Sequence, residues 1–196
     1  MFMPRDARII PPRGYLHVIS RGNNQRKLFF RPGDYRIYCA LVCRLKKEES
    51  IRIVHYCLMP NHVHFLVGID EQSNLSNFMK RLNLKYFYHY RKKRTYVGHL
   101  WQDRFKSKLI DNDAYFIQCG KYIELNPVRA CMVKAPEDYE FSSYGYYAFG
   151  HPSRLIDEDL FYHEMGQTPQ QRQCAYRKML INEIVDEKIV LHIKWL

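Results

Sequence analysis

The sequence predicts an α+β fold: one antiparallel sheet covered by helices, with a helical extension at the C-terminal end. Three observations predict it. Residues 13–23, 51–58, 62–69 and 105–110 carry the two-residue alternation or β-branched richness of strands. Longer stretches with apolar residues at helical spacing lie between them. The Met59-Pro60-Asn61 connection is short enough to make the strands on either side antiparallel neighbours.

The first strand places Tyr15, His17 and Ile19 on one side and Leu16 and Val18 on the other, and Gly22-Asn23-Asn24 ends it. Pro32-Gly33-Asp34 turns into a helix of about fifteen residues with Ile37, Tyr38, Leu41, Val42 and Leu45 as its apolar positions. Strands at 51–58 and 62–69 follow. A long helix, capped near Ser73 and running to Arg94, buries Leu75, Phe78, Met79, Leu82, Tyr86 and Tyr90. A short strand at 105–110 leads to Asp111-Asn112-Asp113, which caps a helix over 114–125 that Pro127 stops. The order β-α-β-β-α-β-α fits the ferredoxin-like, split βαβ pattern. The tyrosine-rich stretch 138–149 reads as irregular. His151-Pro152-Ser153 reads as a boundary, followed by amphipathic helix over 169–187 and a last strand over 188–196. The chain thus divides into an N-terminal extension (1–12), a main unit (13–150) and a C-terminal extension (151–196).

At 196 residues and 46% hydrophobic content the chain can bury a core, and a mean hydropathy of −0.47 suits a soluble protein. No apolar run reaches the length of a membrane span. Met1-Phe2-Met3-Pro4-Arg5-Asp6 lacks the apolar centre of a secretion signal. The six cysteines form no CxxC pair and are expected to be reduced. A cytoplasmic, nucleoid-associated protein with no membrane partner is expected. The net charge of +11 calls for a polyanion, nucleic acid above all. Sixteen tyrosines beside these cations suit single strands, whose unstacked bases need aromatic surfaces. No acidic residue falls between Glu71 and Asp103, whereas Lys80, Arg81, Lys85, Arg91, Lys92, Lys93 and Arg94 do. Arg81, Lys85, Arg91, Lys92 and Lys93 are candidate phosphate contacts, with Arg104 a weaker one. His17 is either a site residue or structural.

His62-Val63-His64 is the most informative feature. On a strand, residues two apart share a face, so two imidazoles stand together as half a metal site. The bland alternative is a pair of partly buried histidines. On the helix over 114–125, Tyr115, Cys119, Tyr122 and Asn126 share a stripe, and Phe116, Gly120 and Ile123 form a neighbouring stripe able to pack on the sheet. If that first stripe faces the histidines, Tyr122 is a phenol nucleophile and Asn126 an amide-oxygen ligand. Tyr115 is a rival nucleophile that spacing leaves open, and Asn126 before Pro127 also reads as a helix cap. Attack by Tyr122 on a phosphodiester with loss of the 3′-oxygen would give a 5′-phosphotyrosine and a free 3′-hydroxyl. The bond is exchanged, not hydrolysed, so a strand can be resealed.

Met59-Pro60-Asn61-His62-Val63-His64, Trp101-Gln102-Asp103-Arg104-Phe105 and Tyr122-Ile123-Glu124-Leu125-Asn126-Pro127-Val128-Arg129-Ala130 together resemble the signature segments of the single-tyrosine HUH transposases, insertion-sequence type, and most of all their REP-associated branch. Arg21-Gly22-Asn23-Asn24, Pro136-Glu137-Asp138-Tyr139 and Ser142-Ser143-Tyr144 also fit. The resemblance spans residues 13–149. It implies a ferredoxin-like fold, binding of imperfect hairpins in single-stranded DNA, and nicking and joining with Mg²⁺ or Mn²⁺. It places the metal on His62, His64 and Asn126 and the nucleophile on Tyr122. Whether the tyrosine helix serves its own histidines or those of a second copy in a homodimer stays open. Two other readings compete: a hairpin-binding regulator that no longer cuts, and a structural zinc protein using Cys39, Cys43, His62 and His64.

Overall fold

The computed structural model describes residues 10–185. The elements run β1 (Gly14–Arg21), α1 (Pro32–Glu48), β2 (Arg52–Met59), β3 (His62–Ile69), α2 (Leu75–Arg94), β4 (Lys106–Ile110), α3 (Asp113–Arg129), α4 (Tyr144–Phe149), α5 (Leu160–Glu164) and α6 (Pro169–Val185). The sheet order is β2-β3-β1-β4 with every neighbouring pair antiparallel. This is the ferredoxin-like arrangement expected. The expected strand over 188–196 lies outside the described residues. Among the described residues no helix is long and apolar enough to cross a membrane.

The alternation of the strands sorts the core into two layers. Leu16, Val18, Val63, Phe65 and Val67 meet Tyr38, Val42 and Leu45 of α1 and Phe78, Leu82 and Tyr86 of α2. Each such side chain, fully buried, contributes roughly 1.5–3 kcal/mol. Val54, Cys57, Leu66 and Ile110 meet Phe116, Cys119 and Ile123 of α3 on the opposite face. Cys39 and Cys43 pack with the first layer, away from the face that carries His62 and His64, which is incompatible with the zinc reading. Ile37 is exposed, because it sits one position off the α1 stripe of Tyr38, Val42 and Leu45.

Two expectations need correction. The stretch 138–149 is not wholly irregular: Ser143 leads into α4, and Gly150 ends it in the left-handed conformation at φ 72°. Pro127 does not stop α3, which continues to Arg129. A proline at 127 deprives the Ile123 carbonyl of its usual amide donor. The Asn126 side chain replaces that donor, with Nδ2 3.3 Å from Ile123 O and 2.7 Å from Tyr122 O.

Strand β2 lies at the sheet edge, and an edge left open would invite pairing with another chain. Here it is covered. Leu58 N donates to Phe141 O, Ser143 N to Tyr56 O, and Asp157 N to Ile53 O. Asp157 Oδ2 also accepts from Ile53 N at 2.8 Å and from Lys46 Nζ at 2.6 Å. Leu155, Ile156, Tyr162, Tyr176 and Leu180 join the first core layer. The described part of the segment after His151 is therefore packed on the main unit.

Helix α3 lies close to the sheet because Gly120 faces the ring of His55. A Cβ at Gly120 would stand 2.9 Å from His55 Nε2. The ring has little room to yield, since carboxylates of Glu124 and Asp159 flank its two nitrogens. Alanine gains up to about 1 kcal/mol of helix propensity, against roughly 1–3 kcal/mol for overpacking a core. Gly120→Ala is expected to lose about 1–2 kcal/mol of unfolding free energy in a urea titration; equal stability would mean that the ring moves aside.

Candidate active site

His62 and His64 project from β3 toward α3, their ring centroids 4.8 Å apart. β3 is hydrogen-bonded on both sides, to β1 and β2, so both rings stand on a fixed backbone. The turn before them is equally held. Gly22 N donates to Asn61 O, and Leu28 N and Phe29 N donate to Pro60 O. A Cβ at Gly22 would lie 2.2 Å from Arg26 O, so only glycine allows this close crossing. Asn61 has a second function: its Oδ1 accepts from His62 Nδ1 at 2.7 Å, which leaves the lone pair on His62 Nε2.

His64 is buried, and its Nδ1 shares a 3.0 Å hydrogen bond with Nε2 of His17 on β1. His64 Nε2 is buried with no hydrogen-bond partner. Such an orphan is costly unless something binds it. Its chemistry fits that of a metal ligand, as does that of the His62 Nε2 lone pair. The other potential donor is the oxygen of the Asn126 amide, whose nitrogen is committed to the α3 backbone. Among the described residues no cluster of three or more His, Cys, Asp or Glu side chains is placed to hold a metal. The donor set would thus be two imidazoles and one amide.

Helix α3 brings Tyr122 over the pair. Its ring centroid lies 5.9 Å from that of His64 and 6.0 Å from that of His17, both edge-on. Arg129, two turns later, covers the Tyr122 ring with its guanidinium 5.4 Å from the centroid. Burial raises the phenol pKa against the opposing charge of Arg129. Tyr115, two turns earlier on the helix, has Lys108 Nζ 4.7 Å from its ring centroid and a buried hydroxyl without a hydrogen-bond partner.

The candidate phosphate contacts divide. Arg81 pairs with Glu48 and Glu49 of the α1 end, and Lys93 lies 2.9 Å from the buried Asp34, which also takes Arg94 at 2.6 Å. These cations fasten α2 to α1. Burial works against the Asp34 charge, but its hydrogen bonds with Lys93, the Phe30 and Arg31 amides and Arg94 hold the carboxyl well below the usual range. Lys85 is half-buried, and Arg91 and Lys92 are exposed around a depression shared with Tyr88 and Tyr96. Arg104 is exposed beside Lys80, Asn83 and Phe105.

Sequence reasoning missed other cations nearer the histidines. Arg21 pairs across from His62, and Lys106 and Lys108 pair across from Ile19 and His17. Two-residue spacing on β1 and β4 is the signal that would have found them. That spacing had put His17 on the face with Tyr15 and Ile19; its contact with His64 needed the register.

The molecule is thus an α+β protein with an antiparallel sheet, a histidine pair on an inner strand of that sheet and a tyrosine helix folded over it. The family model of IS200-like transposases matches residues 12–126, more than half the chain, and the protein belongs to that family. Its fold is similar to that of a REP-associated tyrosine transposase solved bound to a REP hairpin, with 21% identity, a TM-score of 0.65, and coverage of 81% of this chain and 93% of that one. A putative transposase from Deinococcus radiodurans aligns at 17% identity and a TM-score of 0.43, covering 62% of this chain and 96% of its own. No curated protein matches the sequence.

The histidines differ in charge for physical reasons. Burial, then the Lys108 charge, lowers His17 to about 4; burial, then Arg21, lowers His62 to about 4. Burial and the neighbouring His17, His62 and Arg21 hold His64 well below its ordinary value. All three rings are neutral at pH 7, as metal binding requires. His55 is the opposite case. Burial would lower it, but hydrogen bonds and charge from Asp159 and Glu124 raise it to about 9. Because its folded value exceeds the ordinary 6.5, its contribution to stability is complete below pH 6.5 and is lost as pH rises through about 9. The thermal midpoint is expected to fall between pH 6.5 and 9.5, and to fall less in His55→Gln; equal slopes in the two proteins would refute this assignment.

Proposed function

We propose that this transposase-family protein is a metal-dependent strand transferase that nicks and rejoins single-stranded hairpin DNA through Tyr122. The observation that carries the reading is the placement of the Tyr122 ring within 6 Å of both His17 and His64 in one chain. Hairpin DNA is proposed because the solved relative of similar fold is bound to a REP hairpin, and because the +11 charge needs a polyanion.

Tyr122 Oη attacks the scissile phosphorus. A P–O bond to tyrosine forms, the bond to the 3′-oxygen breaks, and the phenol proton is given up as the 3′-oxygen gains one. The products are a 5′-phosphotyrosine and a free 3′-hydroxyl. A 3′-hydroxyl attacking in reverse reseals a strand and releases the tyrosine. His62, His64 and Asn126 would hold Mg²⁺ or Mn²⁺, which when bound polarises the scissile phosphate and stabilises charge in the transition state. At rest the raised pKa keeps the phenol protonated. Arg129 and Arg21 place positive charge near the developing phenolate.

Lys85, Arg91, Lys92 and Arg104 are proposed to position phosphates, giving affinity without sequence choice. Arg81 and Lys93 would do so only by leaving their carboxylates. Tyr88 and Tyr96, which line the same depression as Arg91 and Lys92, offer surfaces on which unpaired bases stack. A DNA partner of this kind puts the protein at the nucleoid.

The hydrogen bond between His64 and His17 is read as the outer contact that sets the His64 tautomer. With Nδ1–H of His64 donating to His17 Nε2, His64 Nε2 keeps its lone pair for the metal. His17→Phe should weaken Mn²⁺ binding by about 10- to 100-fold, followed by calorimetry or electron paramagnetic resonance without DNA. His17→Gln, whose amide oxygen can accept the same hydrogen, should recover most of it. Unchanged affinity in His17→Phe would remove His17 from the site.

The direct test is incubation with single-stranded hairpin DNA and Mg²⁺ or Mn²⁺, then a denaturing gel. A protein–DNA band is expected that disappears in Tyr122→Phe and falls by about 10³-fold or more in His64→Ala. Hairpin binding without any band from the wild type would favour the non-cutting regulator. A band that survives Tyr122→Phe and is lost in Tyr115→Phe would move the nucleophile.

A further inference from the structure

The buried cluster on the far side of α3 lies outside the chemistry described above. Glu124, fully buried, is two residues beyond Tyr122 and on the opposite side of the helix. Its Oε1 is 2.9 Å from His55 Nδ1 and accepts from Ser143 Oγ, and its Oε2 accepts from Tyr176 Oη at 2.7 Å. His55 Nε2 lies 3.6 Å from Asp159 Oδ2, and Asp159 Oδ1 caps α5 through the Phe161 amide at 2.9 Å. One carboxylate thus gathers β2, the start of α4, and α6, and through His55 the start of α5. Asp157, two residues before Asp159, ties the same segment to Lys46 and Ile53.

We propose that the segment over 151–185 is a clasp that positions the nucleophile helix, with Tyr176 and Asp159 as positioning residues acting through Glu124 and His55, so that Tyr122 serves the histidines of its own subunit. The proposal rests on the strand-transfer reading. Rolling or sliding α3 far enough to withdraw Tyr122 from His64 would pull Glu124 from three donors inside the protein, where water cannot replace them. Two of those donors, Ser143 and Tyr176, lie C-terminal to α3 in the same chain. Handing α3 to a second copy would therefore strand the carboxylate or unpack the segment that holds it.

The experiment uses the full chain with Tyr176→Phe, which removes one hydroxyl, and Asp159→Asn as a second mild change. Hydrogen exchange of α3 amides is read against that of β1 and β3, followed by hairpin affinity by anisotropy and the rate of covalent adduct formation. The clasp predicts at least 10-fold faster exchange confined to α3, an adduct rate down at least 10-fold, and hairpin affinity within twofold of wild type. Exchange in α3 unchanged in both variants, or adduct rate and affinity falling together, overturns it. Mixing His64→Ala with Tyr122→Phe chains adds a separate check. With the clasp intact the mixture should give under a tenth of the wild-type adduct, and adduct near wild type would overturn service in one subunit. A wild-type protein that forms no adduct sinks strand transfer itself, and the exchange data then decide the clasp alone.

Discussion

The seating of α3 on the sheet is the constraint on which everything else depends. The histidines stand on a strand that is fixed from both sides, but a tyrosine reaches them only if a separate helix docks at one rotation and one height. Height is set by Gly120, which lets the backbone come down onto the His55 ring. Rotation is set by two unlike contacts on adjacent stripes. Phe116, Cys119 and Ile123 pack on Leu66 and its apolar neighbours, while Glu124 turns toward a polar cluster with few alternative partners. Apolar packing tolerates a small roll; a buried carboxylate with three donors does not.

The sheet face beneath α3 is organised by charge as well as shape. Its site end holds three neutral imidazoles, kept neutral by burial and by cations at the rim. Its other end holds a protonated imidazole between two carboxylates. Two residues of the same type on one face are thereby given opposite protonation, which is how environment assigns separate roles to chemically identical groups.

Much of this was legible in the sequence because it is local. Alternation gave the four strands, helical spacing gave the buried faces of α2 and α3, and HxH spacing put two rings on one side. Continuation of α3 through Pro127 was not legible, since it depends on one amide folding back on its own helix. Arg81 and Lys93 read as part of a single-sign run, and only the fold shows Glu48, Glu49 and Asp34 arriving from α1. Glu124 sat inside a signature segment with no role to give it, because His55, Ser143 and Tyr176 come from 69, 19 and 52 residues away. Long-range polar pairing leaves no period to read.

The Asn126 amide carries a consequence for the chemistry of its neighbourhood. Its NH₂ group stands in for the backbone hydrogen that Pro127 lacks, so the side chain must own hydrogens to give. Aspartate, a stronger partner for a divalent cation, has none and would leave the Ile123 carbonyl bare. The proline thereby obliges position 126 to carry a neutral side chain, and if its oxygen joins the two neutral rings as proposed, the protein would bring no negative charge of its own to the cation. A cation held in that way would be gripped weakly by protein alone and firmly only once a phosphate supplied the missing anion, which would make the nucleic acid a co-ligand and tie occupancy to the presence of a strand.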